Sequence, residues 1–189
     1  MKKLKDPRDI QTFINKIPIN FEKEGETCKS PFETLKKRSA HCMEGALLAC
    51  FIFSLNKHKS YLLHLKTIQG DLDHVICVFK KDGCFGAISK TNHSVLRYRD
   101  PVYKNIRELV MSYFHEYTDD KGRKTLRSYS EAIDLSKIKD WESSEKDLWH
   151  IDKMLDKVKH FEIIKTKRGF LRNADPIEIK TGKILEWEK

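Results

Sequence analysis

From Ala46 to Phe53 the chain runs Ala-Leu-Leu-Ala-Cys-Phe-Ile-Phe, with no charge. The run is apolar on every side of a helical wheel, and Ala and Leu favour helix over strand. A helix without a polar face is a buried one. Upstream the pattern is one-sided. Ile10, Phe13, Ile14 and Ile17 form a helical stripe, with Asp6 as its cap, Pro7 at the first helical position and Pro18 as its stop. Ser30-Pro31-Phe32-Glu33 has the form of a capping box and predicts a short helix over 32–36.

Downstream the period changes to two. Residues 60–67 alternate as a strand, and two β-rich runs, 74–79 and 84–89, flank Asp82-Gly83, a strong hairpin signal. A two-residue turn there sets Lys81 opposite Cys84 and Ile76 opposite Ser89. His74 then falls opposite Thr91, on the same face as Ser89. Residues 90–101 read as loop plus a short extended piece. An amphipathic helix over 105–117 presents Ile106, Leu109, Val110, Tyr113 and Phe114. Short strands are predicted at 126–129 and 132–135, then a helix from about Ser144 to Lys159. The tail offers strands at 161–165, 176–180 and 184–187, with Thr181-Gly182-Lys183 as a hairpin turn. One buried helix followed by antiparallel strands implies an α+β fold. We read residues 1–189 as a single domain, with a core over about 25–117 and a C-terminal extension over about 118–189.

Composition narrows the function. Of 189 residues, 39% are hydrophobic and 34% charged, the balance of a soluble globular chain. No run approaches the ~18 apolar residues of a membrane helix. Met1-Lys2-Lys3 is followed by no apolar stretch, so no signal peptide and no membrane partner are expected. Five cysteines, odd in number and partly in apolar runs, suggest free thiols and a cytoplasmic setting. The net charge is +9, and residues 1–100 hold 18 basic against 11 acidic side chains. Such an excess can attract acidic partners. No aromatic-basic motif accompanies it, which argues against nucleic acid.

The candidate chemistry sits at the mouth of the apolar run. Cys42 falls at the first turn of the predicted helix, where free backbone N–H groups and the dipole favour a thiolate. His74 opens the first strand of the hairpin. An imidazole that takes a thiol proton creates a nucleophile for carbonyl carbon. A third polar group must orient the imidazole, and the Cys42 backbone N–H is a natural oxyanion donor.

Cys42-Met43-Glu44-Gly45-Ala46, then an apolar helix, a strand and a histidine leading a strand, resembles the transglutaminase-like branch of the papain-like thiol enzymes. The resemblance covers roughly residues 31–101. It implies a buried helix packed on an antiparallel sheet. It implies thiol-dependent acyl chemistry, as peptidase, amidase or acyl transferase, on a peptide, protein or small amide, with no cofactor. Two departures stand out. Ser39-Ala40-His41 stand where the family usually has Gly, and no acid lies between Asp82 and Asp100, where it usually has Asp on the return strand. Ser89 stands at that place, and Asn92 lies a little further on. An amide oxygen is the better acceptor, so the expected catalytic set is Cys42, His74 and Asn92, with Ser89 as the alternative third group.

The neighbouring residues read more plainly. Glu44 suits the first turn as structural support. His41 is expected to be exposed, and Asp71 and Asp73 to be loop acids. Lys36-Lys37-Arg38 is either a solvated helix end or a lip for an acidic substrate. His74, Cys77 and Cys84 are metal-ligand types, but strand alternation sends His74 and Cys77 to opposite faces and no CxxC pair exists, so no metal is expected. The alternative function is a catalytically silent domain on the same fold that binds a protein or an acidic partner.

Overall fold

The computed structural model describes residues 1–164 and 170–188. The fold is α+β, with a six-stranded antiparallel sheet among the described residues. Three helices come first: α1 (Pro7–Asn15), α2 (Pro31–Lys37) and α3 (Cys42–Leu55). Strands β1 (Ser60–Lys66), β2 (His74–Lys81), β3 (Cys84–Ile88) and β4 (Arg99–Tyr103) follow, then α4 (Ile106–Met111). The remainder supplies β5 (Ser128–Ser130), a 3₁₀ turn at Leu135–Lys137, α5 (Trp149–Lys157), β6 (His160–Glu162) and α6 (Pro176–Gly182). The sheet order is β4-β3-β2-β1-β5-β6.

Helix α3 is buried from Met43 to Cys50 and again at Ile52 and Phe53, as a helix without a polar face must be. It packs on one face of the sheet, against Leu62, Val75, Cys77, Phe79 and Ile88. The opposite face carries Leu63, Leu65, Ile76, Val78 and Ala87, covered by Leu109, Val110, Tyr113 and Tyr117. Strand β2 is thus buried on both faces, which is why its sequence is a continuous apolar run. The hairpin register is the expected one, Lys81 opposite Cys84 and Cys77 opposite Ile88. Helix α1 has its predicted cap, with the Asp6 side chain accepting from the Arg8 N–H, and Ser30 accepts from Glu33 at the start of α2.

Several expected elements differ. The helix foreseen over 105–117 ends at Met111, and tighter three-residue turns continue to Glu116. Ser112 Oγ donates to the Leu109 carbonyl at 2.6 Å, and such local bonding competes with the helical ladder. The helix foreseen from Ser144 begins at Trp149, because Ser144 bonds Lys146 and the Asp147 carboxylate accepts the Cys28 N–H instead of capping. Of the strands at 126–129 and 132–135, only β5 forms, with Ile133 adding a bridge to Leu62. The tail strand over 161–165 is observed as β6, and residue 165 lies outside the described residues. Residues 176–180 are helical rather than extended. Asp175 and Glu178 form a capping box around Pro176 at the first helical position, and this outweighs the alternation of Pro-Ile-Glu-Ile-Lys. Residues 184–187 form no strand; Leu185 makes one bridge to His93.

Candidate active site

The start of α3 is built as a double cap. The His41 side chain accepts the Met43 N–H, and the Glu44 carboxylate accepts the His41 N–H at 3.0 Å. Histidine is an unusual cap, and here it fixes the ring beside Cys42. Its Nε2 lies 2.8 Å from the Thr27 carbonyl, so Nε2 carries a proton and Nδ1 faces the helix start. His41 is therefore held and partly buried, not exposed as the sequence suggested.

Glu44 is fully buried. Its carboxylate also accepts from the Thr27 hydroxyl at 2.7 Å, the Lys29 N–H at 3.1 Å and Asn20 at 3.2 Å, and it pairs with Lys29 Nζ at 3.2 Å. Burial raises its pKa, but the His41 charge and these hydrogen bonds win, and the net shift is downward. A buried carboxylate with this many donors stays charged. It ties the loop over 20–29 to the first turn of α3.

Cys42 occupies the first helical position, where its backbone N–H has no intrahelical acceptor. Burial opposes ionisation of the thiol. Hydrogen bonds from His41 and then His74 outweigh it, and the pKa falls well below the ordinary thiol value. Cys42 and His74, the pair expected from the sequence, line the same cleft. Cys28 goes the other way: burial pushes its thiol up to about 12.

His74 is oriented by Ser89. His74 Nε2 lies 2.7 Å from Ser89 Oγ. The Ser89 hydroxyl has one proton, and it donates it to the Leu96 carbonyl at 2.5 Å. Ser89 must then accept from Nε2–H, which leaves the Nδ1 lone pair for Cys42. Leu96 holds its carbonyl there in a left-handed conformation (φ 60°), with its N–H anchored on Glu116 at 2.7 Å. Gln11 of α1 clamps Ser89 from behind. Its amide accepts the Ser89 N–H at 3.0 Å and donates to the Ser89 carbonyl at 2.8 Å. Gln11 and Leu96 were not singled out in the sequence. A glutamine inside the apolar stripe of α1 was the available signal.

Asn92 does not reach His74. Its amide oxygen accepts the Trp187 N–H at 2.8 Å, and its amide nitrogen donates to the Trp187 carbonyl at 3.0 Å. The amide oxygen and nitrogen both bond the C-terminal segment, so the side chain that hydrogen-bonds His74 is Ser89 and not the expected Asn92. Asp73 is likewise engaged elsewhere, bonding His64 at 3.0 Å and the Thr67 N–H at 2.7 Å. No carboxylate is bonded to His74 among the described residues.

Lys90 completes the surroundings. It is 1% exposed, donates to the Ile17 carbonyl and lies 5.9 Å from the centre of the Trp187 ring. Burial draws its pKa down to about 8. Its stem runs against Gly45, whose missing side chain makes the room: a Cβ there would lie 2.3 Å from Lys90 Cβ.

A cleft of about 280 Å³ opens onto these groups, lined by Cys42, His74, Lys90, Tyr117 and Gly182 among others. A larger hollow of about 700 Å³ lies at the far end of the hairpin, around Phe53, Phe79 and Phe85, and touches none of them. Lys36, Lys37 and Arg38 are exposed at the end of α2, and Lys36 pairs with Glu33 at 3.0 Å. The other ligand-type thiols point elsewhere. Cys77 faces α3, where its sulfur meets Cys50 at 3.3 Å, and all five cysteines are free. Among the described residues, no three His, Cys, Asp or Glu side chains converge as a metal site would need, and no helix is long and apolar enough to cross a membrane.

Compared with protein-family models and with curated proteins, the chain matches none.

Proposed function

We propose that this chain is a thiol-dependent acyl enzyme of the transglutaminase-like branch of papain-like enzymes, acting on an amide or thioester. Cys42 is the nucleophile, His74 the acid and base, and Ser89 the residue that positions His74. The observation that carries the reading is the direction of the Leu96–Ser89–His74 hydrogen bonds, which leaves a basic imidazole nitrogen for a thiol at a helix start. Thiolate attack on the carbonyl forms a tetrahedral oxyanion, and the Cys42 N–H at the helix start is its donor. Collapse expels the leaving group, which takes a proton from imidazolium, and leaves a thioester on Cys42. Water or an amine, deprotonated by His74, then opens the thioester. Hydrolysis and transfer share every step up to that choice.

The test is an acylation pulse on the full chain with p-nitrophenyl acetate. A burst of p-nitrophenol with the acetyl group mapped to Cys42, lost in Cys42→Ala and slow to clear in His74→Ala, supports the reading. No burst, or acetyl groups scattered over lysines with Cys42 unmodified, supports the catalytically silent domain.

A further inference from the structure

Two imidazoles, His41 and His74, act on the Cys42 thiol, and only one belongs to the expected pair. The two rings differ in what surrounds them. His74 rests on a neutral hydroxyl. His41 rests on carboxylates: its Nε2 lies 3.4 Å from Glu44 Oε1 and 3.7 Å from Glu22 Oε1, besides its 2.8 Å bond to the Thr27 carbonyl. The ring is only 20% exposed, and its Glu44 partner is wholly buried, so these interactions are poorly screened. Among the described residues no acid is bonded to the hairpin histidine, and two stand beside the histidine preceding the cysteine.

We infer that His41, not His74, carries the positive charge that holds Cys42 as a resting thiolate, with Glu44 and Glu22 as the carboxylates behind it. This rests on the thiol-enzyme reading above and assigns a division of labour within it. The ionisation step moves one proton: the Cys42 S–H bond breaks, a His41 Nδ1–H bond forms, and no other reactant is needed. Taking that proton costs Nδ1 its bond from the Met43 N–H, a weak one at 3.3 Å, while the Glu44 half of the cap is kept. The leaving group then takes its proton from His41, which replaces His74 as the acid of the acylation step, while His74, its Nε2–H directed at Ser89, presents Nδ1 to accept the proton of the incoming water or amine. The net shift at His41 is in the same sense: burial lowers its pKa, but the Cys42 and Glu44 charges carry it up to about 9. The charged and titratable groups that face this ring are Glu22 and, through Glu44, Lys29 from the loop before α2, Cys42 and Glu44 of α3, His74 of β2 beyond the thiol, and Asp152 of α5.

The experiment is the pH profile of Cys42 alkylation by iodoacetamide, read by peptide mapping, in the full chain and in His41→Asn and His74→Gln. Asparagine is a good helix cap, so His41→Asn removes the imidazole and keeps an acceptor for the helix start. Below both midpoints the alkylation rate falls about tenfold for each unit by which the thiol pKa rises. The inference predicts that His41→Asn slows Cys42 alkylation at pH ~6 by about tenfold or more, and by more than His74→Gln does. If the His41→Asn profile superimposes on that of the unaltered chain while His74→Gln moves it, the inference falls and a Cys42–His74 pair stands. If the unaltered chain already ionises Cys42 like an ordinary thiol, near pH ~8.5, the thiol-enzyme reading falls with it. A second measurement covers a His41→Asn variant that fails to fold: nitrogen-15 NMR of the His41 ring. Its titration midpoint should drop in Cys42→Ala, and an unchanged midpoint overturns the inference.

Discussion

Ser89 Oγ lies 2.7 Å from His74 Nε2 and gives its own proton to the Leu96 carbonyl. A serine in this position does what a carboxylate would do for geometry and nothing of what it would do for charge. It fixes the ring and its tautomer, but it offers no anion to stabilise an imidazolium. The carboxylates stand instead around His41, the residue before Cys42, with Glu44 at 3.4 Å and Glu22 at 3.7 Å from its ring.

This relationship separates two residues that the sequence left as alternatives. Ser89→Ala removes the acceptor of His74 Nε2–H, so the ring loses both its anchor and its tautomer preference. We expect acyl turnover to fall on the order of tenfold to a hundredfold, with Cys42→Ala lower still. Asn92→Ala breaks a clamp on Trp187 and touches neither ring, so its effect on turnover should be small. Steady-state turnover of p-nitrophenyl acetate checks the order. Asn92→Ala falling as far as Ser89→Ala would reverse the assignment.

What the sequence told, and what it hid, follows the range of the interactions involved. The α+β class, the buried helix, the hairpin and its register are local or periodic signals, and each is in the structure. The placement of Cys42 and His74 was legible because each sits at the start of an element. The third group was not, because Asn92 and Ser89 differ only in which distant segment reaches them. Trp187 takes up the Asn92 amide from 95 residues away, and Gln11 fixes Ser89 from 78 residues away. No spacing rule carries such pairings. The α6 helix was a local failure: alternation over 176–180 suggested a strand, while Asp175-Pro176 and Glu178 already spelled a helix start.

Gly45 offers a sign-reversed helix substitution. Replacing Gly by Ala inside an ordinary helix stabilises by about 1 kcal/mol. Here the added Cβ would meet Lys90 Cβ at 2.3 Å and Lys90 Cγ at 3.0 Å. These atoms are close to the backbone of a buried residue and cannot swing away. Gly45→Ala should therefore destabilise by about 1–3 kcal/mol and displace the first turn of α3. Urea unfolding measures the first effect and Cys42 alkylation the second. A stabilised variant with unchanged Cys42 reactivity would contradict this packing.

Glu44 sets an acid limit on stability. Its folded pKa is below the ordinary 4.5, so its contribution is fully present above pH 4.5 and is lost as pH falls through the folded value. Glu44→Ala leaves Lys29, Asn20 and the Thr27 hydroxyl without their shared acceptor, at a cost on the order of 3–5 kcal/mol near neutral pH. The variant should also lack this part of the acid slope. Urea unfolding at pH ~7 and again at pH ~3 tests both, because the gap between the two proteins must narrow in acid. A gap that is constant or widens would mean that Glu44 is not the charged hub of this turn.

The most direct test of a thiol nucleophile at Cys42 is competition among the five cysteines for one reagent. At pH ~6.5, with iodoacetamide limiting, thiolate fraction and access decide which sulfur reacts. Cys28 and Cys77 are buried with raised pKa values, and Cys50 is buried against Cys77, so the contest is between Cys42 and the partly exposed Cys84. Mass-spectrometric mapping should find Cys42 modified first and the other four thiols still free. Modification of Cys84 ahead of an untouched Cys42 would contradict the account.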